Sequence, residues 1–249
     1  MTQELYRRYW DPFHEAGLIY PPVREVKDYN GQEVLGIAYA QYDDTASTRK
    51  KRLREWVEAL PGMKIKVLAF YAGHQDLFDA ATRIQGLQAL ISGWGSIKTV
   101  ESVADCKSLV ALNIASKPSI TGVHCVNQLP QLKVLGIVNA REVYDLAFLS
   151  SMTSLEELDI CGSMWANQKV DSLCPLVNLK NLRSLFLLDT RISRDGLRPL
   201  HQLKNLENLV CSFYYPASEF AALREALPSL KYGTVFDERI KNYPRLASS

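Results

Sequence analysis

The stretch Leu182-Arg183-Ser184-Leu185-Phe186-Leu187 limits what this chain can become more than any other, because its form recurs. Leu155-x-x-Leu158-x-Ile160, Leu132-x-x-Leu135-x-Ile137 and Leu109-x-x-Leu112-x-Ile114 repeat it upstream. Alternate side chains of an extended segment share a face, so the fourth and sixth residues of each unit point the same way. A strand this short cannot enclose that apolar face by itself, and stacked neighbours must do it together. Units begin at Ile65, Leu87, Leu109, Leu132, Leu155, Leu182, Leu206 and Leu230, with spacings of 22, 22, 23, 23, 27, 24 and 24 residues. Seven full units and a last strand over 230–235 are therefore expected.

The segments between strands also carry a period. Ile120, Val123, Val126 and Leu129 recur every third residue, as do Val143, Leu146, Leu149 and Met152. That spacing suits an extended or 3₁₀-like return path whose apolar side chains still point inward. The return over 192–203 is slightly longer and has room for a short helix.

On these repeats, residues 65–236 resemble a leucine-rich-repeat solenoid of the short 22–24-residue kind common in bacteria. The resemblance implies an α/β fold, a horseshoe whose concave side is a parallel β-sheet, and a binding rather than a single fixed chemical role. One departure stands out. The family usually carries Asn or Cys at the ninth position, where the side chain bonds to neighbouring backbone. Here that position holds Gly73, Gly95, Lys117, Ala140, Ser163, Thr190 and Tyr214, of which only Ser163 and Thr190 can make such bonds. An irregular turn and uneven curvature are expected.

A stack of strands has open ends that invite aggregation unless covered. Residues 1–62 read as the N-terminal cap of a solenoid over 63–236, with 237–249 as a short charged tail. Within the cap, a short helix is expected near 2–9. A β-hairpin is expected over 23–40, turning at Asn30-Gly31. A helix over 46–60, capped by Thr45 or Ser47, would turn Leu53, Trp56, Val57 and Leu60 inward. The run Arg49-Lys50-Lys51-Arg52 reads as the solvated face of that helix, because acidic side chains slightly outnumber basic ones across 1–62.

The net charge of +2 gives no field that would draw nucleic acid or an anionic membrane, and neither partner is expected. No apolar run approaches the roughly 20 residues needed to span a bilayer. The N-terminus has no apolar core of a secretory signal, and the five cysteines are odd in number without C-x-x-C spacing. A reduced, cytoplasmic protein is expected, although an injected effector would look similar. No His, Cys or carboxylate spacing forms a metal motif, and there is no P-loop or nucleophile elbow. Cys161 stands beside Glu157 and Asp159, which would raise a thiol pKa rather than lower it. Neither an enzyme nor a cofactor is expected.

The remaining strand positions define a surface. The third, fifth, seventh and eighth residues of each unit point away from the core, across the concave sheet or its edge. They include Tyr71, Trp94, Phe186, Leu188, Phe213 and Tyr232, which core packing does not require there. Glu157, Asp159 and Asp189 lie mid-face and ask for a basic residue from a partner. Trp165, on the longest return, is expected as an anchor at the rim. A terminal segment folded over the end strands is the competing reading. The expected function is non-enzymatic binding of another protein by a monomer. The alternatives are an antitoxin-like immunity protein or a secreted effector that acts by binding in a host cell.

Overall fold

A computed structural model describes residues 22–115, 117–163 and 165–241; the helix expected near 2–9 lies outside them. They divide into two compact units between Leu132 and Lys133.

In the unit before that division, β1 (Val34–Ile37), β2 (Val67–Phe70), β3 (Ala89–Ser92) and β4 (Ala111–Ala115) run parallel in sequence order. Leu35, Leu68, Leu90 and Leu112 stand in register, each no more than 1% exposed. In the other unit the order is β5 (Val134–Val138), β6 (Glu157–Asp159), β8 (Ser184–Leu187), β10 (Asn208–Cys211) and β11 (Tyr232–Gly233). There Leu135, Leu158, Leu185 and Leu209 form the same column, fully buried. The column ends at Gly233, at φ 102°, where a Cβ would lie 1.9 Å from the Leu209 carbonyl oxygen. Only glycine lets the last strand come that close.

The hairpin expected over 23–40 does not form. β1 pairs parallel with β2, Val23 bridges parallel to Ile37, and residues Val26–Asp28 make a 3₁₀ turn. The physical reason is that 32–37 is itself a repeat. Leu35 and Ile37 occupy its fourth and sixth positions, but Gln32 stands where the first leucine belongs. A strand with that pattern buries its apolar face best against β2.

The next segment is helix α1 (Ala46–Ala59), with Thr45 Oγ1 accepting the Thr48 N–H at 3.1 Å. Trp56 is fully buried and its Nε1–H donates to the Arg24 carbonyl at 2.9 Å, which ties 22–28 to the helix. Two of the four cations in the basic run form ion pairs. Arg52 pairs with Asp44 at 2.8 Å and with Glu25 at 3.3 Å, and Lys51 faces Glu55 one turn on.

Returns are 3₁₀ turns for the most part, including Val123–Gln128 and Arg198–Gln202. Two are α-helical, α2 (Gln75–Ala81) and α3 (Ala217–Ala226). One device recurs. Lys107, Lys180 and Lys204 each extend an ammonium to the last carbonyl of the next return, at Gln128, Gln202 and Ala226, over 3.0 to 3.2 Å. A cation there satisfies an orphan carbonyl and meets the negative end of the helical turn.

The ninth position works in two ways. Thr190 Oγ1 donates to Ile160 O and Ser163 Oγ to Ala166 O, as the sequence suggests. Gly73 and Gly95 instead bring backbone to backbone, with the Ser96 N–H on Gly73 O at 2.8 Å. A Cβ on Gly95 would sit 2.0 Å from that oxygen. Gly95→Ala is therefore expected to cost about 1–3 kcal/mol, and Leu185→Ala about 2–5 kcal/mol, both read from urea unfolding. Gly62→Ala, whose Cβ meets nothing within 4 Å, is the control expected to change stability little.

Candidate functional site

The strand period assigns side chains to faces correctly, but the second face of the sheet is not open. Glu157 is 1% exposed, Asp159 4% and Phe186 4%. Val67, Ala69, Ala89, Val134, Ser184, Asn208 and Val210 are buried as well. The reading of Glu157, Asp159 and Phe186 as exposed contact residues is thus corrected. Alternation tells which face a residue takes, and it is silent on whether that face is covered. Parallel sheets are commonly buried on both faces. Tyr232 and Phe213 are half-buried, and Asp189 is half-buried too.

Of the outward strand positions read from the sequence, those that stay exposed lie at the C-terminal ends of the strands, at the seventh and eighth positions of a unit; Tyr42 and Tyr144, outside the strands, are exposed as well. In the unit before Lys133 these are Tyr71 at 49% and Trp94 at 56%. In the unit that follows they are Leu188 at 41% and Phe236 at 39%, with Trp165 at 90% on the adjoining loop.

The eighth position turns the chain out of the strand. Asn139 and Asp189 hold left-handed φ values of 64° and 51°, which short polar side chains tolerate. Gly162 takes the same place after β6, where a Cβ would lie 2.3 Å from Asp189 O. A polar residue or glycine two places past the sixth-position apolar residue is the sequence signal for this turn.

The long return after β6 is not a slack loop. The Gly162 N–H donates to Leu188 O at 2.8 Å, and Gln168 N–H to Asp189 O at 2.8 Å. Ser163 and Ala166 exchange two backbone bonds across the tip that carries Trp165. The strand β7 (Gln168–Val170) then pairs parallel with β9 (Thr190–Ile192), forming a two-stranded side sheet. Gln168 is fully buried there and donates to Val143 O at 3.0 Å.

Tyr214 locks the arrangement from the next unit. Its hydroxyl donates to Asn167 Oδ1 at 2.8 Å and lies 3.4 Å from Asp189 Oδ1, while the Arg191 guanidinium stacks 4.7 Å from its ring centroid. Burial first, then the Asp189 carboxylate, push this phenol above its ordinary pKa, so it remains a donor at neutral pH. Arg239 lies 5.4 Å from the Phe213 centroid, and its hydrogen bond holds the Asp237 carboxyl below the usual range.

The thiols are arranged for packing. Cys211 is 2% exposed, and burial pushes its pKa up to about 12. Cys106 and Cys125 are buried, whereas Cys174 is exposed at the start of a 3₁₀ turn. Cys161 is half-buried and its sulfur accepts the Leu188 N–H at 3.2 Å. Among the described residues no group of three or more His, Cys, Asp or Glu could hold a metal ion, and no helix is long and apolar enough to cross a membrane.

Stacked parallel strands on leucine columns, short helical returns and a period in the low twenties define the leucine-rich-repeat fold. The chain is an α/β solenoid of that class. Among solved structures, an internalin (inlF) from Listeria monocytogenes is similar over 82% of this chain, at 17% identity and a TM-score of 0.57. An internalin C2 of the same organism matches over 73% of this chain and 91% of its own, at 21% identity and a TM-score of 0.49. A Leptospira interrogans leucine-rich-repeat protein matches over 91% and 67%, at 14% identity and a TM-score of 0.45. The chain spans about half, 54%, of the inlF structure. No family model matches the sequence, and no curated protein does.

Two outcomes follow from this geometry. Tyr214→Phe is expected to cost about 0.5–1.5 kcal/mol and to speed amide exchange at Gly162 and Ala166. In the folded protein Cys174 is expected to be alkylated first and Cys211 last, as mass spectrometry of partly modified chains would show.

Proposed function

We propose that this chain is a non-enzymatic protein-binding module that contacts its partner at the C-terminal ends of its strands. In the unit from Lys133 onward, the contact is centred on Trp165 and Leu188, with Phe236, Phe213 and Asp189 around them. Tyr71 and Trp94 offer a similar edge in the other unit. The observation that carries the reading is Trp165, an indole 90% exposed on a tip that backbone hydrogen bonds hold in place. A large apolar side chain that folding does not need, presented by an ordered turn, is what interface anchors are made of. A turn already ordered by backbone hydrogen bonds loses little backbone entropy on binding.

A cytoplasmic setting accords with five free thiols. The bound protein, in this reading, brings an apolar pocket or patch to the rim. The basic residue expected to meet Glu157 and Asp159 has no accessible carboxylate to meet there, since both are buried.

The test uses the tagged chain to purify a partner from the native host. Trp165→Ala and Leu188→Ala are each expected to weaken that complex at least about tenfold while leaving the unfolding midpoint in place. A complex that survives the double variant at native affinity would put the contact elsewhere. Phe186→Ala, by contrast, is expected to lower stability by about 3 kcal/mol or more, because it empties a buried site.

A further inference from the structure

The side sheet of β7 and β9 has one outward position on each strand. Gln168, Val170 and Thr190 are buried, whereas Lys169 and Arg191 are exposed. Lys169 and Arg191 are direct register partners, so two cations stand side by side on neighbouring parallel strands. Like charges opposite one another destabilise a strand pair, and neither packing nor folding asks for them. Neither cation has a carboxylate within ion-pair distance among the described residues. The acids nearby are engaged otherwise, Asp171 with Arg194 and Asp189 with the hydroxyls of Ser212 and Tyr214.

Arg191 is also aimed. Its guanidinium lies over the Tyr214 ring at 4.7 Å, and Tyr214 is itself fixed through its hydroxyl to Asn167. A stacked guanidinium keeps its planar edge free for a carboxylate, and stacking removes much of the entropy that a free arginine would lose. Two residues before Asn167, the indole of Trp165 stands in solvent, and Leu188 is exposed on the strand end that holds this loop.

We propose that this surface receives an acidic segment of a partner protein. An Asp or Glu of that segment bridges Lys169 Nζ and the Arg191 guanidinium, and a neighbouring aromatic or leucine side chain packs on Trp165 and Leu188. The inference rests on the rim reading above and adds the partner's chemistry. Charge complementarity carries it, since a carboxylate relieves a cation pair and, among the described residues, none pairs with Lys169 or Arg191. Nucleic acid is the poorer fit. Two cations neutralise about two phosphates, a weak and salt-sensitive hold, and the chain as a whole carries only +2.

The test pans a random-peptide phage library on the full chain at physiological salt. The enriched consensus peptide is then synthesised and titrated by calorimetry. Enriched peptides are expected to carry adjacent Asp or Glu residues next to an aromatic or leucine. Lys169→Glu with Arg191→Glu is expected to weaken the consensus peptide at least about tenfold. The milder pair Lys169→Gln with Arg191→Gln should have a smaller effect in the same direction, and circular dichroism would confirm that both remain folded. A peptide with Lys in place of its acids should bind the Glu variant better than the native chain.

Failure to enrich acidic peptides, or binding untouched by charge reversal, would overturn the proposal. So would inorganic phosphate or a single-stranded oligonucleotide that competes the peptide away at equal concentration. Trp165→Ala separates the two claims. Loss with Trp165→Ala but not with charge reversal keeps the rim and removes the acidic partner. Loss with charge reversal alone keeps the acidic partner and removes the indole as anchor.

Discussion

Everything in this fold depends on the column of fourth-position leucines. Each leucine-bearing strand, three to five residues long, is too short to persist alone, and its leucine is buried because neighbouring strands bring theirs into register. Burying one such side chain yields about 1.5–3 kcal/mol. That gain is available at one register only, because a slip of a single residue would turn every leucine to the other face. The repeat is thus cooperative along the chain, and irregular returns are tolerated so long as the column continues. The 27-residue fifth unit shows this, since its extra length is gathered into a side sheet without disturbing Leu158 or Leu185.

Two polar devices reinforce that register. The carbonyl at the second position of a unit accepts two successive N–H groups from the next strand, as Lys66, Lys133, Glu156, Arg183 and Glu207 all do. From Lys133 onward the side chains at the same position alternate in sign. Lys133 meets Glu156 at 2.8 Å, and Glu207 lies between Arg183 at 2.7 Å and Lys231 at 3.8 Å. Exposed pairs of this kind add little stability one at a time. Shifted by one unit, however, they would set like charges together, so they discriminate between registers more than they stabilise any one.

Much of the fold was legible because leucine spacing is a strong signal that sequence reports directly. The eight units from Ile65 onward correspond to strands, and Thr190 bonds across units as its hydroxyl suggests. The first strand was not legible as a repeat, since Gln32 replaces the residue that opens every other unit. Its neighbour Asn30-Gly31 then imitated a hairpin, although Gly31 at φ 91° serves only a bend. The site was half legible. Trp165, Leu188, Tyr71 and Trp94 are surface residues as their positions imply, while Phe186, Glu157 and Asp159 are buried. Periodicity fixes the direction of a side chain, but covering depends on what lies above the sheet, and no local pattern encodes that. The side sheet was invisible for a related reason: its strands are three residues long and its cations are adjacent only through pairing distant in sequence.

The functional account therefore moves from the middle of the strands to their ends. In the proposed reading a covered sheet supplies rigidity and the turns that leave it supply the contact, which is the usual division between scaffold and loops. Hydrogen–deuterium exchange of the full chain, free and saturated with its purified partner, measures that division directly. The account predicts slowed exchange across 162–169 and 188–191, with the amides of the returns at 123–128 and 198–202 unchanged. Protection confined to those returns, with 162–169 exchanging as in the free protein, would contradict it.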